Sequence, residues 1–283
     1  MERLIGSRLR AAVGSGLIVV LLVLWTGAAG SVAASDDTLE LRYRFSWAGV
    51  PIAVFGLRHM TNTTIYQTEL AIETTGLADQ LFTYRALAFA TGAYREPHGL
   101  TASWFRTGYT SSKKSRQILI RFDPNTGDVL ELEITKRGEP DRSKVPASLQ
   151  KGVTDPLTAL MKLRHQLSEA PSVGTGRYTE VIFDGRRRFD LEANVRGRGR
   201  AEIGGRSVPV VRVEVGLKWI AGSNADDLEP AEAGEDHLRL ELLLSDDGRR
   251  LPLRLRTLDS LFTAQLEVLP ECLGAQGCPP VSG

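Results

Sequence analysis

Few side chains in this 283-residue chain are spaced for chemistry. The four histidines, His59, His98, His165 and His237, are scattered, with no H-x-H or H-E-x-x-H pair that would place two imidazoles on one metal. Beyond residue 34 there is no G-x-S-x-G turn to present a serine nucleophile and no G-x-x-x-x-G-K-[ST] loop to cradle phosphate. The glycines of VRGRGRAEIGG do not fit G-x-G-x-x-G, and they fall in strand-and-turn context. Asp246 and Asp247 adjoin at a turn, a setting in which aspartates form turns more often than they catalyse. No catalytic, cofactor-binding or metal-ligating residue is therefore assigned. Three basic clusters read as solvated strand faces and hairpin tips: Lys113, Lys114 and Arg116; Arg186, Arg187 and Arg188; Arg196, Arg198 and Arg200. The sharper reading makes them a local contact surface for lipid headgroups, glycan or an acidic partner.

One stretch, VTDPLTALMKLRHQL (153–167), predicts a helix over about 155–167. Asp155 is a good N-cap and Pro156 occupies the first helical position, where its missing N–H costs nothing. At 100° per residue Leu157, Leu160, Met161, Leu163 and Leu167 share an arc. About 18 Å of helix cannot cross a bilayer, so the arc packs against or caps something else. Arg164 falls inside that arc. Its guanidinium either snorkels out or pairs with a carboxylate, or it faces a cavity and holds an anion.

Almost everything around the helix alternates with period two. In TLELRYRFSW, Leu39, Leu41, Tyr43, Phe45 and Trp47 share one face while Glu40, Arg42, Arg44 and Ser46 take the other. About a dozen such runs follow, punctuated by turn signals at Gly49, Pro124–Gly127, Asp184-Gly185, Gly204-Gly205 and Asp247-Gly248. The predicted fold is all-β: a long antiparallel meander, curled into a barrel-like or spiral sheet that hides its edges, with the single amphipathic helix packed on it. A two-sheet sandwich is the runner-up. The expected organisation is one β-rich domain over 35–283, with a charged linker at 136–152, an acidic loop at 223–236 and a tail at 271–283.

The first 34 residues read as a secretory signal peptide: Arg3, Arg8 and Arg10, then an apolar core over 11–25, then small residues ending at Ala34. Its removal takes Lys+Arg from 35 to 32 and Asp+Glu from 34 to 33, so the formal charge moves from +1 to −1. A near-neutral domain has no global field to draw it to nucleic acid, and no transmembrane anchor is expected after cleavage. In an oxidising compartment Cys272 and Cys278 could close a small ring, stabilising by roughly 2 kcal/mol.

Three motifs occur in order: Tyr43-x-Phe45-x-Trp47-x-Gly49-Val50, Asp155-Pro156-Leu157 followed by Leu163-Arg164, and Ile182-Phe183-Asp184-Gly185-Arg186 with Phe189. Together they resemble the DUF3108 family, exported bacterial proteins of uncharacterised function, over roughly residues 38–270. The resemblance implies a Gram-negative periplasmic setting and a β-rich fold, and it supplies no catalytic residues. The function expected first is a non-enzymatic envelope scaffold or adaptor. The alternative is a carrier of an apolar or amphipathic, lipid-like ligand, with Tyr43, Phe45, Trp47, Leu160, Met161 and Arg164 around a cavity. A hydrolase of unrecognised type is the third reading.

Overall fold

The computed structural model describes residues 37–95, 99–112, 114–169, 176–222, 237–258, 262–273 and 278. The signal-like segment, the acidic 223–236 loop and His98 lie outside them. Within the described residues fourteen strands form one antiparallel sheet. The first half comprises β1 (Asp37–Trp47), β2 (Val50–Thr61), β3 (Ile65–Thr74), β4 (Tyr84–Arg95), β5 (Gly99–Ser111), β6 (Ser115–Phe122), β7 (Val129–Lys136) and β8 (Glu139–Asp141). The second comprises β9 (Arg177–Phe183), β10 (Arg188–Ile203), β11 (Arg206–Ala221), β12 (His237–Ser245), β13 (Pro252–Thr257) and β14 (Ala264–Val268). Two helices interrupt the series, α1 (Gly76–Phe82) and α2 (Pro156–Glu169).

Each strand pairs with its neighbour in sequence, except where β1 pairs with β14 and where α2 parts β8 from β9. The sheet order therefore starts and ends mid-chain, at β8 and β9. Residues 150–154 join those two regions. On one side the Val129 N–H donates to the Gln150 carbonyl at 3.0 Å and the Val153 N–H to the Gly127 carbonyl at 2.9 Å. On the other, the Thr154 N–H donates to Val181 and the Phe183 N–H to Thr154, at 2.9 and 2.8 Å. This segment satisfies backbone groups that would otherwise be left at the sheet edges and gives the meander its barrel-like closure.

The 136–152 connection is thus more than the linker its charge suggests. It contains β8 and a 3₁₀ turn at Ala147–Leu149, and Val145 is buried against Ile134. Strand β10 continues through Gly197 and Gly199 to Ile203, with a bulge between Val195 and Gly197.

Helix α2 lies on the concave side. Leu157 packs with Phe105, Ile118 and Phe183; Met161 with Leu41, Tyr43 and Tyr66; Leu163 and Leu167 with Tyr178, Val213 and Leu242. One helix can touch strands from both halves and the middle of a sheet only if the sheet wraps around it. For that reason α2 buries Thr158, Ala159 and Met161 as well as Leu157, Leu163 and Leu167, around much of its circumference. Arg250, on the β12–β13 hairpin, donates from Nε to the Leu167 carbonyl at 3.2 Å, placing a cation at the helix C-terminus. Beyond β14, Cys272 and Cys278 are disulfide-bonded, and both are buried in one core with Ile203 and Val268.

Candidate functional site

The concave face changes character along its strands. On β1, Leu39, Leu41 and Tyr43 are buried, Phe45 is half-buried, and Trp47, at the strand end, is 51% exposed. The pairing register carries the same change sideways. Phe45 lies opposite Ala53 on β2 and Leu266 on β14, Phe55 opposite Ile72, and Leu255 on β13 opposite Leu266 and Leu242. Toward this end Phe55, Leu70, Ile72, Ala86 and Ala88 are half-buried on β2–β4. So are Leu191, Leu217, Leu240, Leu255 and Leu266 on β10–β14. Toward the other end the same face is closed by Tyr66, Ala90, Ala193, Val213, Leu242, Leu253 and Val268, all buried. Helix α2 packs on that closed part. The concave side is therefore an apolar cup with a filled floor and an open mouth. The half-buried positions just named are all apolar, so what they offer a ligand is hydrophobic contact.

The floor holds a buried polar chain that sequence reading did not single out. Asp155, fully buried, accepts from the Leu157 and Thr158 N–H groups at 3.0 and 2.9 Å, as an N-cap should. The Thr158 hydroxyl donates to its other oxygen at 2.5 Å. With its only proton so used, Thr158 must accept from the Tyr66 hydroxyl, 2.6 Å away. Burial pushes the Asp155 carboxyl up to about 6, against the stabilising hydrogen bonds, and raises the Tyr66 phenol. Nearby on β2 and β3, His59 Nδ1 and Thr68 Oγ1 are hydrogen-bonded at 2.7 Å, both buried. Every polar atom of the Asp155–Thr158–Tyr66 chain has a partner within the chain or the helix. Its role is to fix the start of α2, and it has no nucleophile aimed at open space. No group of three or more metal-ligating side chains occurs among the described residues.

The residues singled out in the sequence take different positions. Tyr43 is buried, its hydroxyl donating to the Pro252 carbonyl at 2.9 Å. Phe45 touches Phe55, ring centroids 5.7 Å apart, and belongs to the mouth. Met161 is in the filled floor, Leu160 is half-buried, and Trp47 points outward from the end of β1. Gly49 turns the chain with φ +81°. Arg164 is half-buried and donates from Nε to the Arg249 carbonyl at 2.8 Å, which ties α2 to the β12–β13 hairpin. Asp184 accepts from the Arg186 and Arg187 N–H groups, and buried Gly185 packs on Ile118 and Ile120 of β6. The second and third motifs thus meet: Leu157 and Phe183 share one core, joined through Thr154.

The fold and its mouth define a curled antiparallel meander wrapped around one helix. The chain belongs to the DUF3108 family, whose model, described as a protein of unknown function (DUF3108), matches residues 42–266. No curated protein matches the sequence. Among solved structures it is similar to the crystal structure of a beta-barrel-like protein of domain of unknown function DUF1849 from Brucella abortus. That similarity has 10% sequence identity and a TM-score of 0.46, over 84% of this chain and 98% of that one.

Proposed function

We propose that this protein binds and carries a ligand with a hydrocarbon chain, held in the open mouth of the cup. The observation behind this reading is the register-wide passage from buried to half-buried apolar side chains on one face of β1–β4 and β10–β14. Leaving part of this aliphatic and aromatic surface in water sacrifices about 25 cal/mol per Å² of burial, which a bound chain restores. A scaffold has no use for an open apolar interior, so the carrier reading takes precedence over the envelope adaptor expected first. Export to the periplasm of a Gram-negative cell is part of the proposal, supported by the N-terminal sequence and by the disulfide, which suits an oxidising compartment.

Native mass spectrometry of the protein purified from its own compartment should show a lipid-sized adduct. Phe55→Asp puts a charge in the mouth at a half-buried site and is expected to abolish the adduct; it also lowers the thermal midpoint, so a far-UV circular dichroism spectrum like that of the wild type is the control that the variant is folded. A bare wild-type mass, or an adduct unaffected by Phe55→Asp, would sink the proposal.

A further inference from the structure

The mouth is bordered by large apolar side chains that point away from the core. Trp47 and Val50 flank the β1–β2 turn, Leu77, Leu81 and Phe82 lie on α1, and Phe262 lies in the β13–β14 connection. These loops are adjacent and bonded to one another. The Ala48 N–H donates to the Thr263 carbonyl at 2.9 Å, and the Thr75 N–H, just before α1, donates to the Ile52 carbonyl at 3.0 Å. Helix α1 itself is held from behind. Ala78 is buried, and Asp79 accepts from Thr74 Oγ1 and Arg85 Nη1, both at 2.7 Å. Those bonds, with Arg85 the larger cause, keep the Asp79 carboxyl below the usual carboxylate range. Leu77 and Leu81, one turn apart on that fixed helix, are 77% and 80% exposed. A frame this well tied does not expose leucines by fraying. The charges on and beside α1, Asp79 and Arg85, are paired with each other at 2.7 Å.

We infer that this rim is a bilayer-contact surface, which the tips enter to interfacial depth so that the mouth opens directly onto lipid. The inference rests on the carrier reading, because a hydrocarbon chain passing from membrane to cup avoids water only where mouth and bilayer are continuous. The chemistry fits that occupant. Tryptophan, phenylalanine and leucine on separate protruding turns match a soft interface that closes around each tip. The apolar border formed by these described residues is larger than scattered surface hydrophobics require.

The test is flotation of the full mature chain with vesicles of phosphatidylethanolamine and phosphatidylglycerol. The wild type should co-float, and Leu77→Ser with Leu81→Ser should weaken partitioning by about tenfold or more, the loss expected for two interfacial leucines. Lipids brominated along their acyl chains should quench wild-type tryptophan fluorescence, and Trp47→Phe should remove most of that quenching. No co-flotation, or a wild-type dimer in analytical ultracentrifugation that the double variant dissociates, would overturn the inference. The carrier reading is scored separately. A Phe55→Asp chain that binds vesicles but carries no adduct retains the rim and tests only the mouth. A serine double variant that keeps its adduct yet fails to float supports the two roles as distinct.

Discussion

Gly185→Ala is expected to lower the unfolding free energy by about 2–5 kcal/mol, a large effect for one added methyl group. Two costs combine. Gly185 has φ +92°, a backbone region in which an L side chain is strained by about 1–2 kcal/mol. Its added Cβ would also stand 2.5 Å from Ile118 Cγ2 and 3.5 Å from Ile120 Cδ1, in a buried turn pressed onto β6. Ile118 is β-branched on a strand and has little rotamer freedom with which to yield. Denaturant unfolding measures the loss, and combining Gly185→Ala with Ile118→Ala separates its parts. The steric share should vanish in the double variant, leaving a coupling of about 1 kcal/mol or more. Strict additivity, or a single variant as stable as the wild type, would show that the turn has room the geometry denies it.

Asp155 gives the second large effect, in the pH dependence of stability. Its carboxyl titrates near 6 in the folded protein and near the usual 3.8 when unfolded. The folded state thus holds the proton more tightly. The stability this contributes is fully present below about pH 4 and is lost as pH rises through 6. About two pH units at about 1.4 kcal/mol each give a loss on the order of 3 kcal/mol. Asparagine retains an N-cap acceptor but does not titrate. Relative to wild type, Asp155→Asn should therefore gain on the order of 3 kcal/mol between pH 4 and pH 7, whatever its baseline. Parallel stability curves for the two chains across that window would refute this. The comparison isolates Asp155 from carboxyls that move the opposite way, such as Glu214, held low by hydrogen bonds from Arg239 and Arg196.

Much of this architecture could be read from the residues. Alternation located β1 within a residue, Asp155-Pro156 marked the start of α2, and Asp184-Gly185 marked the β9–β10 turn. What alternation gives is a face, and depth along that face has no sequence period. Tyr43, Phe45 and Trp47 are indistinguishable by pattern, yet the first is buried in the floor, the second lines the mouth and the third leaves it. Phe55, Leu70, Leu255 and Leu266 went unnoticed as a site for the same reason: they become a mouth only when the register aligns them. The partners of Arg164 and Asp155 were equally hidden, since the Arg249 carbonyl is 85 residues from the one and Tyr66 reaches the other through Thr158, 92 residues away. The bridging segment 150–154 begins in the end of the expected linker, 150–152, and joins the two edges through hydrogen bonds to backbone elsewhere, and backbone groups leave no mark on composition.

The placement of β1 beside β14 has a consequence for how the chain is made. Every other strand pair can form as a hairpin or across one helix, closing short loops. The central pair must instead bring together segments as distant as Tyr43 and Val268, 225 residues apart. Loop closure of that length is entropically the most expensive contact in the fold and sets its contact order. Synthesis delivers β1 before β14, so one edge of β1 waits without a partner until β14 arrives. During that interval the nascent chain presents an unpaired, half-apolar strand, the kind of edge that recruits other chains. For this protein the vulnerable moment is the wait for its own C-terminus.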